Sequence, residues 1–222
     1  MDRIVSMCGR FALSKTEQLL KKRFKVKDID PGYKTSFNIA PDAAIPVILN
    51  EDTSKIILAH WGYTPHWMGK DRSFSVINAR SEEITTKNFF KSSFLKRRCL
   101  ILADSFYEWH KQGSLKVPHR IFLRGEECFA FAGVWDIWDD RLNCAIITTT
   151  ANDLIRPIHD RMPVVLAKDS EEAWLRSDDP EELKRILCPY PSGEMDMYAV
   201  SRDVNSPKND SEALLRNIKG IK

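Results

Sequence analysis

A run of short apolar segments between residues 99 and 149 constrains the fold of this chain more than any other feature. The turn sequences at residues 111–114 and 124–127 contain glycine and separate some of these segments. The predicted strands cover residues 99–103, 106–110, 119–123, 128–138 and 143–149. Many short strands with interspersed helices, and no regular βαβ alternation, indicate an α+β protein with a mainly antiparallel, barrel-like sheet and short flanking helices.

Three further predictions concern elements outside this run. Residues 14–17 have the S-x-x-E form of a capping box and predict a first helix that ends before Pro31. Residues 33–41 are predicted to be an extended loop, because the proline at position 41 disfavours helical geometry in the residue before it. Residues 210–218 are predicted to form a helix near the end of the chain.

The chain length of 222 residues is near the upper end for one domain, and we expect one compact unit. The longest apolar runs are far shorter than the roughly 20 residues that a membrane span requires. Residues 1–6 lack the apolar region of a secretory signal. We therefore expect a cytoplasmic protein, associated with the nucleoid if its source is prokaryotic.

The residue types exclude several classes of site. The five cysteines are odd in number, widely spaced and without a CxxC pair, so they predict neither a disulfide framework nor a zinc site. The sequence has no P-loop, GxGxxG, HExxH or GxSxG motif, and we expect no metal and no cofactor. Because the net charge is only +3, any nucleic-acid site must be a local groove with a few arginines.

Cys8 is the first candidate for chemistry. It lies between Met7 and Gly9, where no strand or helix pattern has begun, whereas Cys99, Cys128 and Cys144 lie inside apolar strand patterns. A lone cysteine is usually a small buried hydrophobic residue, and this interpretation stays open for Cys8. The other interpretation is a reactive thiol.

Glu108 is the second candidate, because it lies between Tyr107 and Trp109 in an otherwise apolar or aromatic strand. A carboxylate in such surroundings is costly to keep ionised, and desolvation would raise its pKa into the range useful for proton transfer. The alternative is an outward-facing strand residue, since alternation places Phe106, Glu108 and His110 on one face.

His159 and Asn78 are weaker candidates. His159 precedes a predicted strand, where it can be a proton carrier at neutral pH or an ordinary capping residue. Asn78 lies at the end of a predicted strand and offers both a donor and an acceptor, although asparagine also commonly forms turns.

Arginines and aromatic residues lie close to these candidates in the sequence. Arginines that neutralise phosphates, beside flat rings that stack on unpaired bases, are typical of a groove for single-stranded nucleic acid. The alternative is that most of these rings belong to the core. We predict that Trp67 is exposed, because it lies in a loop.

Motifs along almost the whole chain resemble the SRAP family, named for SOS-response-associated peptidase. They are MCGRF at 7–11, FNIAP at 37–41, WGYTPHW at 61–67, NARSE at 78–82, RCL at 98–100, DSFYEW at 104–109, FAGVW at 131–135, IITTTAN at 146–152, IHDRMP at 158–163 and VNS at 204–206.

The resemblance implies a protein that recognises abasic sites in single-stranded DNA and becomes covalently joined to them in the DNA damage response. In the family pattern the amine and thiol of Cys8 form a thiazolidine with the sugar aldehyde. In that pattern Glu108 matches the general acid and base. His159 matches a residue that transfers protons beside the sugar, and Asn78 matches the group that orients the amine. The DNA-binding residues that it implies are Arg10, Asn38, Trp67, Arg80, Arg98, Tyr107 and Arg161.

One feature departs from the family pattern. Family members normally begin Met-Cys-Gly-Arg, whereas six residues precede Met7 here. With residues 1–7 attached, the Cys8 nitrogen is an amide and cannot form a thiazolidine. Either translation starts at Met7, or the extension is removed, or this form is inactive; we favour the internal start.

Residues 8–222 are then expected to form a single SRAP domain that acts as a monomer on single-stranded DNA with abasic sites. Two other functions stay open at this stage. One is a thiol peptidase that cleaves its own N-terminal peptide, as the family name suggests, with a lyase activity as a further possibility. The other is a non-covalent module for single-stranded DNA.

Overall fold

The computed structural model describes residues 8–70 and 74–218. The strands are β1 (Phe11–Leu13), β2 (Asp28–Ile29), β3 (Ser36–Ile39), β4 (Ala44–Leu49), β5 (Lys55–Trp61), β6 (Asn78–Arg80), β7 (Arg98–Ala103), β8 (Ser105–Gln112), β9 (Leu115–Leu123), β10 (Phe129–Trp138), β11 (Arg141–Thr150), β12 (Arg161–Pro163), β13 (Val165–Leu166) and β14 (Met195–Ala199). The α-helices are α1 (Glu17–Phe24), α2 (Asn88–Lys96), α3 (Lys168–Arg176) and α4 (Pro180–Ile186). Short 3₁₀ segments lie at Ser192–Glu194, Arg202–Asn205 and Glu212–Leu215.

Two mostly antiparallel sheets form the body of the fold. The first has the order β14-β9-β8-β1-β3, and the second has the order β12-β11-β10-β7-β4-β5-β2. β11 also pairs in parallel with β5, which joins β5, β4, β7, β10 and β11 into a closed ring. The predicted α+β class, with its barrel-like antiparallel sheet and short flanking helices, is confirmed.

Aromatic side chains join the two sheets. Phe11 and Phe106 from the first sheet make edge-to-face contacts with Phe131 from the second, at centroid distances of 5.8 and 5.9 Å. Phe11 also contacts Trp61, and all four side chains are fully buried. Each buried phenylalanine contributes about 1.5–3 kcal/mol of hydrophobic stabilisation, so this contact holds β1 and β8 firmly against the barrel.

Every strand predicted between residues 99 and 149 is present, but three predictions outside this run are corrected. Thr16, not Ser14, caps α1, because the backbone and hydroxyl of Ser14 donate instead to Asp104. Residues 33–41 include β3, which gains ladder partners by pairing with β1. The predicted helix at 210–218 is reduced to a 3₁₀ turn at Glu212–Leu215.

None of the helices in the described ranges is long and apolar enough to span a bilayer.

Candidate active site around Cys8

Cys8 is buried directly before β1. Its backbone has a φ of 45°, in the left-handed region that residues other than glycine rarely adopt. The backbone nitrogen of Cys8 donates to Oε1 of Glu108 at 2.8 Å. Burial, and secondly the charge of Glu108, raise the pKa of the Cys8 thiol well above its usual value. The thiol is therefore protonated unless a neighbouring base accepts its proton.

Glu108 provides the side chain that accepts the hydrogen bond of the Cys8 nitrogen. It lies on β8 and is only 4% exposed. Burial raises its pKa to about 7, and the charge of Asp160 adds to this rise, while hydrogen bonds from the backbones of Cys8 and Trp109 oppose it. The predicted rise in pKa by desolvation is confirmed, and the outward-facing alternative is wrong.

The segment that contains His159 lies near this carboxyl group. Asp160 acts electrostatically on Glu108, although its own side chain is largely exposed. Nδ1 of His159 lies 3.1 Å from the backbone nitrogen of Arg161 and 2.9 Å from a carboxylate oxygen of Asp160. The first contact requires a lone pair on Nδ1 and the second requires a hydrogen there, so only one of the two can be a hydrogen bond in a given tautomer.

Asn78 and Arg80 lie on β6, which pairs in parallel with β11. Asn78 is half-buried and Arg80 is exposed. Arg161 lies across β11 from Arg80, and its guanidinium donates to both carboxylate oxygens of Glu82 and to the carbonyl oxygen of Thr148. Arg161 is only 9% exposed, so its predicted phosphate contact would require a phosphate to replace Glu82.

Arg98 has a structural role in the fold, and its predicted DNA contact stays a prediction. Its side chain is 2% exposed. The guanidinium donates to the main-chain carbonyls of Phe94, Leu95, Trp174, Leu175 and Ser177, at the C-terminal ends of α2 and α3. A cation satisfies helix C-terminal carbonyls well, because these carry partial negative charge. Arg98 therefore fixes both helices to the barrel.

Two other residues predicted to contact DNA are also internal. Tyr107 is fully buried and its hydroxyl donates to the carbonyl of Phe37. Asn38 is 4% exposed and donates to the carbonyls of residues 204, 206 and 209. It also accepts a hydrogen bond from the half-buried Arg10, which in turn donates to Val204. Asn38 and Arg10 thus hold the segment after β14 against β3, and the DNA contacts predicted for Asn38 and Tyr107 stay predictions.

The prediction that Trp67 is exposed is confirmed. Its side chain is 54% exposed and makes an edge-to-face contact with Phe89, which Phe74 also contacts. Phe74 is 57% exposed, so two large rings face solvent side by side around Phe89. The exposure of Phe74 is not evident from the sequence, because an aromatic residue is more often buried in the core.

A cavity of about 750 Å³ lies elsewhere, between α1 and α3, and the candidate residues around Cys8 do not line it. Two ion pairs lie in its lining, Arg23 with Glu171 and Lys168 with Glu126, each at 2.6 Å. Within the described ranges, no group of three or more His, Cys, Asp or Glu side chains is arranged to hold a metal ion.

Comparison with known proteins identifies relatives over almost the full chain. A family model described as SOS response associated peptidase (SRAP) matches residues 7–207. The abasic site processing protein YoaM of Bacillus subtilis is 40% identical, with 94% of this chain and 97% of that protein covered. The abasic site processing protein YedK of Escherichia coli is 30% identical, with 96% and 100% covered. A crystal structure of a Bacteroides thetaiotaomicron protein shares the fold, with a TM-score of 0.84 at 24% identity over 95% of this chain and 99% of that chain.

Proposed function

This chain belongs to the SRAP family, and on that premise we propose that it captures abasic sites in single-stranded DNA through a covalent bond to Cys8. The observation that carries the proposal is the 2.8 Å hydrogen bond between the Cys8 nitrogen and the buried carboxyl group of Glu108. A proton acceptor whose pKa is raised by burial therefore lies directly beside the nitrogen that must become nucleophilic.

The chemistry requires a chain that begins at Cys8. Its α-ammonium group, with an ordinary pKa of about 7.7–8.0, loses a proton to Glu108, and the free amine attacks C1′ of the open abasic sugar. Loss of one water gives a Schiff base. The thiol then adds to the same carbon, so that a sulfur–carbon bond forms and the thiol proton moves, directly or through Glu108, to the nitrogen. The product is a five-membered thiazolidine, and one water is released overall.

Geometry favours this reaction because both nucleophiles belong to one residue held in one backbone conformation. The complete burial of Cys8 and the hydrogen bond from its nitrogen to Glu108 limit its motion. Positioning of this kind lowers the entropic part of the barrier. His159, whose half-buried imidazole lies beside Asp160, is proposed to transfer protons at the sugar. Asn78 is proposed to orient the amine.

The test uses protein whose intact mass shows Cys8 as its first residue. We expect it to form an adduct with a single-stranded oligonucleotide that contains one abasic site, stable in denaturant, with the summed masses minus one water. An oligonucleotide with a tetrahydrofuran analogue, which has no aldehyde, is expected to bind without forming the adduct. An equal yield of adduct from the analogue would contradict aldehyde capture, and turnover of an added peptide would favour a peptidase.

DNA affinity is expected to depend on Arg80 rather than on the buried arginines. Arg80 is exposed on β6, next to Asn78. Its replacement by alanine removes one cation that is proposed to contact a DNA phosphate, so affinity for the tetrahydrofuran oligonucleotide should fall. The slope of log affinity against log salt should decrease by about 0.7. Fluorescence anisotropy over a series of salt concentrations measures both quantities.

Arg124→Ala is the matched control, because Arg124 is also exposed but lies on the turn after β9, paired with Asp196. An equal loss of affinity in this control would mean that the effect reflects overall charge and not a phosphate contact at Arg80.

A further inference from the structure

A cavity of about 330 Å³ lies between β5, the loop that follows it and the start of β11. The parallel pairing of β5 with β11 places His60 beside Asn143. The side chain of Asn143 accepts a hydrogen bond from the backbone of Thr64, and the hydroxyl of Thr64 donates to the carbonyl of Phe74. These bonds fix the loop and Phe74 around the cavity. Its volume is at the lower end of the range for small-ligand sites, so it suits a group the size of one nucleobase.

Gly62 keeps this cavity open. A Cβ atom at this position would lie 2.8 Å from Nε2 of His60 and 3.5 Å from Oγ of Ser75. The first distance is too short for a non-bonded contact, so a side chain at residue 62 would displace the ring of His60. Glycine at the end of a strand often marks a place that a ligand approaches closely. A larger residue here would therefore fill part of the cavity.

The side chains around the cavity combine flat rings with a hydrogen-bond donor and an acceptor. Phe74 and Trp138 supply the rings. Phe74 is 57% exposed, whereas Nε1 of Trp138 donates to the carbonyl of Met68, which fixes the indole ring. Asp42 supplies a carboxylate and Arg141 a guanidinium group, and both residues are exposed. A planar molecule with polar edges matches this combination of groups.

The charges around the cavity favour a neutral ligand. Burial, and secondly the charge of Arg141, lower the pKa of His60, although Asp42, 3.6 Å from its Nε2, opposes this shift. The imidazole is therefore uncharged at neutral pH, and the charges of Asp42 and Arg141 offset each other. A phosphate would face the carboxylate of Asp42, whereas a nucleobase can donate to Asp42 and accept from Arg141.

The cavity adjoins both the exposed rings and the candidate active site. Phe74, which lines the cavity, is one of the two exposed rings, and Trp67 is the other. Asn143 lies three residues before Ile146 on β11, and Ile146 pairs with Asn78. At about 3.3 Å per residue, the cavity lies about 10 Å along β11 from the strand position of Asn78. This distance is within the reach of a few nucleotides of a strand bound at Cys8.

We propose that the cavity holds one unpaired base of the bound DNA strand. The base lies against the rings of Phe74 and Trp138, and its edge faces Asp42 and Arg141. All four bases can occupy this place, because each has a flat face that stacks and an edge that forms hydrogen bonds. This inference rests on the proposed function, which supplies the single strand.

The test uses single-stranded oligonucleotides with one central tetrahydrofuran residue, in which each flanking nucleotide is replaced in turn by a second tetrahydrofuran. Fluorescence anisotropy gives their affinity for the protein. Wild type should lose about tenfold in affinity when the base that enters the cavity is removed, because stacking of one base on an aromatic side chain contributes about this much. Ser75→Leu places an apolar side chain at the cavity from an exposed position, so sensitivity at that one nucleotide should disappear. Gly62→Ala should remove the same sensitivity.

Ser114→Leu is the matched control, because Ser114 is also exposed but lies in the turn between β8 and β9. This variant should keep the wild-type sensitivity at every nucleotide. Unchanged sensitivity at every nucleotide in both Ser75→Leu and Gly62→Ala would overturn the inference. If Gly62→Ala does not fold, Ser75→Leu carries the comparison alone.

A free deoxynucleoside monophosphate offers the same base without the strand. If it binds wild type and not Ser75→Leu, while removal of bases from the strand has no effect, the ligand is a free nucleotide and the assignment to the strand is overturned. Adduct formation with the abasic oligonucleotide is measured on the same proteins. Absence of adduct alone would reject covalent capture, and the affinity series would still decide the cavity. Absence of any binding to single strands would reject both.

Discussion

A chain that keeps residues 1–7 is expected to bind abasic single-stranded DNA without becoming covalently joined to it. The lone pair of an amide nitrogen is delocalised into the carbonyl group, so the nitrogen cannot attack an aldehyde. At Cys8 this nitrogen also uses its hydrogen to bond Glu108. The expected yield of denaturant-stable adduct is therefore below detection, and removal of residues 1–7 should restore it. Intact mass measured before and after incubation with abasic DNA reports both states.

Cys8→Ala in a chain that begins at residue 8 separates the two nucleophiles. This variant keeps the amine and loses the thiol, so it should form a Schiff base that hydrolyses in denaturant unless borohydride reduces it. Cys188→Ala is the matched control, because Cys188 is exposed and distant in sequence from every candidate residue.

A stable adduct from a chain whose mass proves that residues 1–7 are attached would contradict the proposed aminothiol chemistry.

Glu108→Gln is expected to slow adduct formation by about 100-fold or more at neutral pH, because a positioned general acid or base contributes roughly 10²–10⁴-fold. Glutamine keeps the size of the side chain but cannot accept a proton. Affinity for the tetrahydrofuran oligonucleotide should change little, since the carboxyl group is buried. A parallel fall in affinity would mean that Glu108 acts mainly in holding the site together.

Glu108 also makes stability depend on pH in the chain that retains residues 1–7. Its pKa is about 7 in the folded state against an ordinary value of 4.5, so the folded state holds the proton more tightly. The stabilising contribution is fully present below about pH 4.5 and is lost as pH rises through 7; a shift of this size corresponds to roughly 3 kcal/mol. Denaturant unfolding should show this loss in wild type and not in Glu108→Gln. In the chain that begins at Cys8, the ammonium charge should lower the pKa of Glu108 and weaken the effect.

The sequence by itself determined the class of the fold and the central pair of the candidate site. The short strand patterns between residues 99 and 149 were correct because local alternation and turn residues fix where a strand begins and ends. Glu108 between two aromatic residues indicated a desolvated carboxyl group, and the loop position of Trp67 indicated exposure; both features are local.

Only the tertiary structure decided which charged and aromatic residues are available to DNA. An arginine has the same sequence signature whether its side chain faces a phosphate or the carbonyls of a helix end. Arg98 contacts not only the nearby end of α2 but also a carbonyl of α3 that lies 76 residues away in sequence. Alternation shows which residues share a face of β8 but not which face is buried, because that depends on the partner sheet. The register of β8 and β9, which brings His119 opposite Glu108, is likewise a long-range property that depends on the pairing of the whole sheet.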